Sequence, residues 1–220
     1  QNEMSRVGTT HLVTIMNDHD CLPTHNFRYG SHPEAANMGQ EVYRRIFDKG
    51  FDGCWFGCTV ACSHGIKEFV PLSGPYQGRK VFVDGPEYET IALFGGNCEL
   101  KTIEEVAYAN YLCDELGIDT ISAGAVISWA IECYQKDLLS EQEIGRPIQF
   151  SDLETVDYLL DKIARREGIG GLLADGIKTA APEMGMADQA VHVKGIEPAG
   201  YDPECIRRAA KLLAQADLVN

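Results

Sequence analysis

Three cysteines, Cys54, Cys58 and Cys62, recur at every fourth residue of the stretch DGCWFGCTVACSHG, Asp52 to Gly65. Thiols this close together are ligands when they converge on a zinc or iron–sulfur centre, and small apolar side chains when they do not. At i, i+4 and i+8 they could line one helix face, drifting by about 40° per step. Glycines at 50, 53, 57 and 65 favour a loop or broken turn, whose backbone N–H groups can face a bound centre. The spacing leaves three assignments open: free buried thiols, a zinc ion with His64 as fourth ligand, or an iron–sulfur cluster with a distant fourth ligand.

Composition narrows the setting. The chain has 220 residues, enough for one or two domains with a proper core, and a net charge of −14. That charge argues against a nucleic-acid surface, which needs cations to displace counterions from phosphates. No run of about 18 apolar residues occurs, so no membrane span is expected. The opening QNEMSRVG carries neither a hydrophobic signal segment nor an initiating methionine, so the chain is expected to begin partway through a longer product. Without a secretory signal, eight cysteines predict reduced thiols and metal ligands, not a disulfide framework. Cys113 and Cys133 fall inside helical patterns and read as core residues.

The elements that must position the thiols are mostly helical. Strands are expected at 11–16 (HLVTIM), 81–84 (VFVD) and 190–194 (AVHVK), which are short and rich in β-branched residues. Helices are expected at 32–50, 102–117, 122–139, 151–168, about 170–185 and from Pro203 onward. Thr102 and Glu105 are spaced as a capping box, as are Ser151 and Glu154. Gly117 ends the second helix, and Val106, Ala109, Cys113 and Leu116 form its apolar stripe. Loops concentrate at 17–33, 50–80 and 186–202, with glycine, proline and histidine. His19, His25 and His32 share the first of these with Cys21, a spacing that permits a second metal, a proton donor or simple loop-bracing. The whole reads as α+β, predominantly helical.

Downstream of the cysteines, GPEYETIALFGGNCELKTIEEVAYANYLCDELGIDTISAGAVISWAIECY (85–134) resembles the second domain of the aldehyde:ferredoxin oxidoreductase family. HVKGIEPAGYDP (192–203) and GTTHLVTIMNDHDCLPTHNF (8–27) resemble other stretches of that region, in the same order. The resemblance implies that residues 1–220 form the middle, cluster- and pterin-contacting domain of a larger enzyme, without the N-terminal pterin-base domain and most of the third domain. It implies tungsten, or molybdenum, held between two pterins beside a 4Fe–4S cluster, and aldehyde oxidation with ferredoxin or an iron–sulfur subunit as electron acceptor. It further implies an oligomer in an anaerobic cytoplasm, needing its remaining domains or subunits for activity. YRRIFDKG (43–50) is the nearest basic patch for an acidic ferredoxin. The tungsten-type benzoyl-CoA reductases belong to the same superfamily and give a second reading; a cofactor-free structural or electron-relay subunit gives a third.

The resemblance also assigns residues. The family's pterin pattern D-x-x-G-[LI]-[CD] falls on Asp114, Gly117, Ile118 and Asp119, and a pterin edge does present adjacent N–H donors to a carboxylate. Glu89 of PEYET matches the glutamate near the metal, a group that could activate water or steer a proton. Cys98 of GGNC reads as a core thiol or, in a ring reductase, a metal-facing ligand. Cys54, Cys58 and Cys62 correspond to the first three cluster ligands, although the aldehyde enzymes space them C-x₂-C-x₃-C and this chain has C-x₃-C-x₃-C. Cys205 is the only cysteine late enough to be the fourth, and its helix carries no second pterin pattern.

Overall fold

A computed structural model of the chain describes residues 3–47, 49–51 and 53–217. Near the N-terminus Val7, Thr10 and Val13 are all buried, a spacing of three that suits helical backbone and not a strand. Helix α1 (Glu3–Val7), a 3₁₀ turn (Gly8–His11) and α2 (Leu12–Asp18) follow one another there. The strand expected at 11–16 is therefore helical, because burial of one helical face outweighs the β propensity of its residues. The helix expected over 32–50 is cut short. Gly39 is extended (φ −78°, ψ 173°) and separates a 3₁₀ turn at Ala35–Met38 from α3 (Gln40–Ile46).

Beyond α3 lies a three-stranded antiparallel sheet in the order β1 (Lys49–Phe51), β2 (His64–Phe69), β3 (Val81–Asp84). Gly65 stands opposite Gly50 on one side and Asp84 on the other. The loop expected over 50–80 thus contains a strand and half of a hairpin, and the β1–β2 connection carries the three cysteines. Of the expected strands only 81–84 forms one; at 190–194 a tight turn merely bridges Val193 to Ile196, and both side chains face solvent.

After β3 comes the cis Gly85–Pro86 peptide, then α4 (Tyr88–Thr90), which runs into a wider π-helical turn at Ile91–Asn97 whose seven residues are all buried. Helix α5 (Ile103–Leu116) opens on the Thr102–Glu105 capping box, with both reciprocal hydrogen bonds formed. Gly117 closes it in the left-handed region (φ 68°, ψ 37°), where glycine escapes the Cβ clash. Asp119 then caps α6 (Thr120–Gln135) by accepting from the Ser122 N–H at 2.7 Å. The core sits where the π-turn packs on α5 and α6, around Phe94, Ile127 and Trp129, all fully buried.

Helix α7 (Glu141–Ile144) precedes α8 (Leu153–Arg165), which buries Val156, Leu159, Leu160 and Ile163. Its cap is Asp152, not Ser151: Ser151 is left-handed (φ 61°) and Asp152 Oδ2 accepts from the Thr155 N–H at 3.1 Å and hydroxyl at 2.5 Å. The helix expected at 170–185 is two, α9 (Ile169–Leu173) and α10 (Ile177–Glu183), separated at Gly176 (φ 81°). The last helix, α11, spans Pro203–Asp217. The fold is α+β and predominantly helical, as its helical periodicity indicated. Asp152→Ala is expected to lower unfolding free energy by about 1 kcal/mol, and Ser151→Ala, which removes no cap, by much less. Urea midpoints of the two variants check the assignment; equal losses would contradict it.

Candidate functional site

Two short segments meet at the end of β3. The turn after the sheet presents Asp84, Glu87 and Glu89, and the α5–α6 junction presents Asp114, Ile118 and Asp119; together with Asn110 they line one pocket of about 400 Å³. The carboxylates are crowded. Glu89 is half-buried and its carboxyl is pushed up by desolvation, opposed by the Gly200 N–H that donates to Oε2 at 2.5 Å. Gly200 has no room for a side chain: a Cβ there would come within 2.6 Å of Ala92 Cβ and 2.9 Å of Glu89 Oε2. Asp114 stands at the solvent-reachable mouth, yet desolvation first, then the Asp84 and Glu115 charges, push it up to about 6. Asn110 steadies it, donating from Nδ2 to Asp114 Oδ2 at 3.1 Å. The pocket thus collects Glu89, Asp114, Ile118 and Asp119, while Gly117 shapes the turn from outside it.

The Ile118 N–H reaches back to the Cys113 carbonyl at 2.9 Å, and the Gly117 N–H to Asp114 at 3.3 Å, which curls the chain so that Asp114 and Asp119 share one pocket. Asp119 has a double task, since one of its oxygens caps α6.

Cys54, Cys58 and Cys62 line a second concavity, of about 490 Å³, with Trp55 and Phe56 exposed beside them. Backbone N–H groups of Ala61 and Val60 lower the Cys58 thiol, which favours the thiolate a metal centre needs. The Cys62 thiol is raised, mainly by desolvation and then by the charge of Glu87. Among the described residues no three His, Cys, Asp or Glu side chains converge as a single metal ion would require. His64, the expected fourth zinc ligand, is fully buried, with Nδ1 3.2 Å from the Cys62 carbonyl and 3.4 Å from Glu87 Oε1. These observations disfavour zinc. Thiols spread around a cavity suit a polynuclear cluster, which occupies the space between its ligands.

The remaining candidates do not join either site. Cys98, Cys113 and Cys133 are buried in the core; the Cys98 thiol donates to the Gly124 carbonyl at 3.3 Å and burial raises it strongly. His25 stacks on Phe150 and pairs with Glu99 at 3.1 Å. His32 accepts from the Glu34 N–H at 3.0 Å and burial lowers its basicity, while His19 is exposed. All three act as loop residues rather than a cluster. Cys21 and Cys205 form a disulfide, which corrects the expectation that the cysteines are all reduced and removes Cys205 as a fourth ligand. The Asp202 N–H donates to the Cys21 carbonyl at 2.8 Å, docking the start of α11 on the first loop and bringing the two Cα atoms to 5.2 Å, within bridging range. Of YRRIFDKG, Arg44 and Arg45 are exposed on α3 and Asp48 lies outside the described residues.

Sequence reading missed Glu87, Asn110 and Gly200. Their contacts join residues 23, 26 and 111 positions apart, and no local pattern encodes such pairings.

The fold and the two concavities define a predominantly helical α+β domain that sets a cysteine loop beside a carboxylate-lined pocket. The chain belongs to the aldehyde ferredoxin oxidoreductase family: the pattern described as "Aldehyde ferredoxin oxidoreductase, domains 2 & 3" matches residues 1–216. It is 32% identical over 202 residues to the tungsten-containing aldehyde ferredoxin oxidoreductase of Pyrococcus furiosus, covering 91% of this chain and 32% of that protein. Over 147 residues it is 36% identical to the same organism's "Aliphatic sulfonate oxidoreductase, WOR-like subunit", covering 64% of this chain and 23% of that one. The chain therefore spans about a third of the length of the aldehyde oxidoreductase relative. Its fold is similar to a chain of the BamBC active-site complex of benzoyl coenzyme A reductase, with TM-score 0.67 and 21% identity over 89% of this chain and 29% of that one. No single helix among the described residues is long and apolar enough to cross a membrane.

Because the folded-state value of Asp114 lies above the ordinary 3.8, the native state binds the extra proton, and wild-type stability falls as pH rises from about 4 to 6. Asp114→Asn is expected to be more stable than wild type above pH 6, by less than about 1 kcal/mol given solvent screening at the pocket mouth, and to lose that advantage below pH 4. Denaturation midpoints across this range test the sign.

Proposed function

We propose that this chain is the cluster- and pterin-contacting portion of a tungsten–pterin, iron–sulfur oxidoreductase that oxidises aldehydes to carboxylic acids. The observation that carries the reading is that Glu89, Asp114, Ile118 and Asp119 line one pocket. Its carboxylates are acceptors, as the ring N–H and amine donors of a pterin edge demand, so the residues fit the group. When bound, the tungsten–pterin group supplies the two-electron oxidation.

In this assignment residues 1–220 are the middle domain, and the other domains or subunits close the pocket. Asp114, Asp119 and Ile118 would hold the pterin edge, the two carboxylates as acceptors for its N–H and amine donors. The reaction consumes an aldehyde and a water and yields a carboxylic acid, two protons and two electrons. Glu89, desolvated but anchored by the Gly200 N–H, takes up a proton from the water or the product and passes it to solvent. Cys54, Cys58 and Cys62 would hold a 4Fe–4S cluster, which when bound would supply a one-electron route towards ferredoxin or an iron–sulfur subunit. The setting is an anaerobic cytoplasm and the assembly an oligomer.

The C-x₃-C-x₃-C spacing favours a second reading, the catalytic portion of a tungsten-dependent aryl-CoA reductase. Assay of the full-length native enzyme with aldehydes and viologen, against aryl-CoA thioesters and a strong reductant, separates the two. With the preferred substrate, Glu89→Gln is expected to lower kcat by about 10²–10⁴-fold while tungsten content and KM stay near wild type. An unchanged kcat would contradict the role of Glu89.

A further inference from the structure

The two concavities are joined through one carboxylate. Glu87 follows the Gly85–Pro86 turn and lines the acidic pocket. One of its oxygens accepts from the Thr9 hydroxyl, which itself accepts from the Tyr88 N–H at 2.7 Å. The other lies 3.4 Å from Nδ1 of His64, the first residue of β2. The same Nδ1 is 3.2 Å from the carbonyl of Cys62. Nδ1 thus faces two oxygens at once, and the imidazole bridges the carboxylate to the backbone of the cysteine loop.

The bridge is held from all sides. His64 is fully buried, Tyr43 packs edge-on to its ring at 5.1 Å, and Gly8 lies so close that a Cβ there would stand 2.0 Å from Nδ1. The Gly85 N–H donates to the His64 carbonyl at 2.8 Å, so β2 and the turn before Glu87 move as one piece. Among the described residues Nε2 has no partner, so the ring gains nothing there by flipping. A carboxylate of the acidic pocket is thereby fixed one buried imidazole away from the Cys62 backbone.

We infer that Glu87 is a positioning residue that, through His64, fixes the cysteine loop against the acidic pocket and sets the reduction potential of the centre the loop holds. This rests on the proposed cluster at Cys54, Cys58 and Cys62. Taking up one electron adds one negative charge to the cluster, and a nearby carboxylate opposes that step. The fixed carboxylate therefore keeps the potential low, which favours onward transfer to a low-potential acceptor.

The test is a redox titration of the full-length native enzyme, read by electron paramagnetic resonance of the reduced cluster, alongside iron and sulfide per chain. Glu87→Gln keeps the shape and removes the charge; its cluster potential is expected to move to a more positive value with iron content unchanged. Glu87→Asp keeps the charge and is expected to retain both the iron and a potential near wild type. Iron retained with an unshifted potential in Glu87→Gln overturns the inference while leaving the cluster in place. Loss of iron in both variants also overturns it, because Glu87 is then a structural brace alone. Absence of iron and sulfide from the wild-type enzyme is a different failure, that of the cluster reading itself.

Discussion

One side-chain amide joins the sheet to the helices. Asn110, buried on α5, donates from Nδ2 to the Asp84 carbonyl at the end of β3, at 2.6 Å, and to Asp114 Oδ2. The first bond fixes where the sheet ends relative to α5; the second fixes the aim of the carboxylate one helical turn on. Because β2 pairs with both β1 and β3, the position of β3 passes to the cysteine-bearing connection as well. A single buried donor shared between two acceptors thus locates both concavities, and an unpaired amide in its place would cost about 1–3 kcal/mol.

Around that joint the chain concentrates like charges that a folded protein would ordinarily keep apart. Asp84, Glu87, Glu89, Asp114 and Asp119 line one pocket, with no lysine or arginine lining it among the described residues. Desolvation, and after it their mutual repulsion, raise Glu89 and Asp114, an arrangement that opposes stability and suits a ligand rich in hydrogen-bond donors. The opposing effect comes from elsewhere: a fully buried core around Phe94 and Trp129, helix caps at Thr102, Asp119 and Asp152, and the strap docked by Cys21–Cys205, which also holds Gly200 against Glu89.

Local signals were the legible ones. The Thr102–Glu105 box and Gly117 carried enough short-range chemistry to place α5 and its end within a residue or so; Asp114 and Asp119, which line one pocket with Glu89, were picked out by the family resemblance and not by local spacing. What stayed hidden is set by distant partners. HLVTIM reads as a strand until Val7 and Val13 are known to be buried on one helical face. Ser151 yields its cap to Asp152 because the backbone at 151 is left-handed. The Cys21–Cys205 bond spans 184 residues, and the bridge from Glu87 through His64 to the cysteine loop crosses three elements, so neither leaves a trace in spacing.

In the proposed function the cysteine loop and the carboxylate pocket are two halves of one redox site. Iron, sulfide and tungsten per chain in the natively purified full-length protein, compared with a Cys54→Ser variant, test it most directly. About four irons together with tungsten are expected in the wild type, and loss of iron in the variant. Zinc in place of iron, or a native protein devoid of both iron and tungsten, would contradict it.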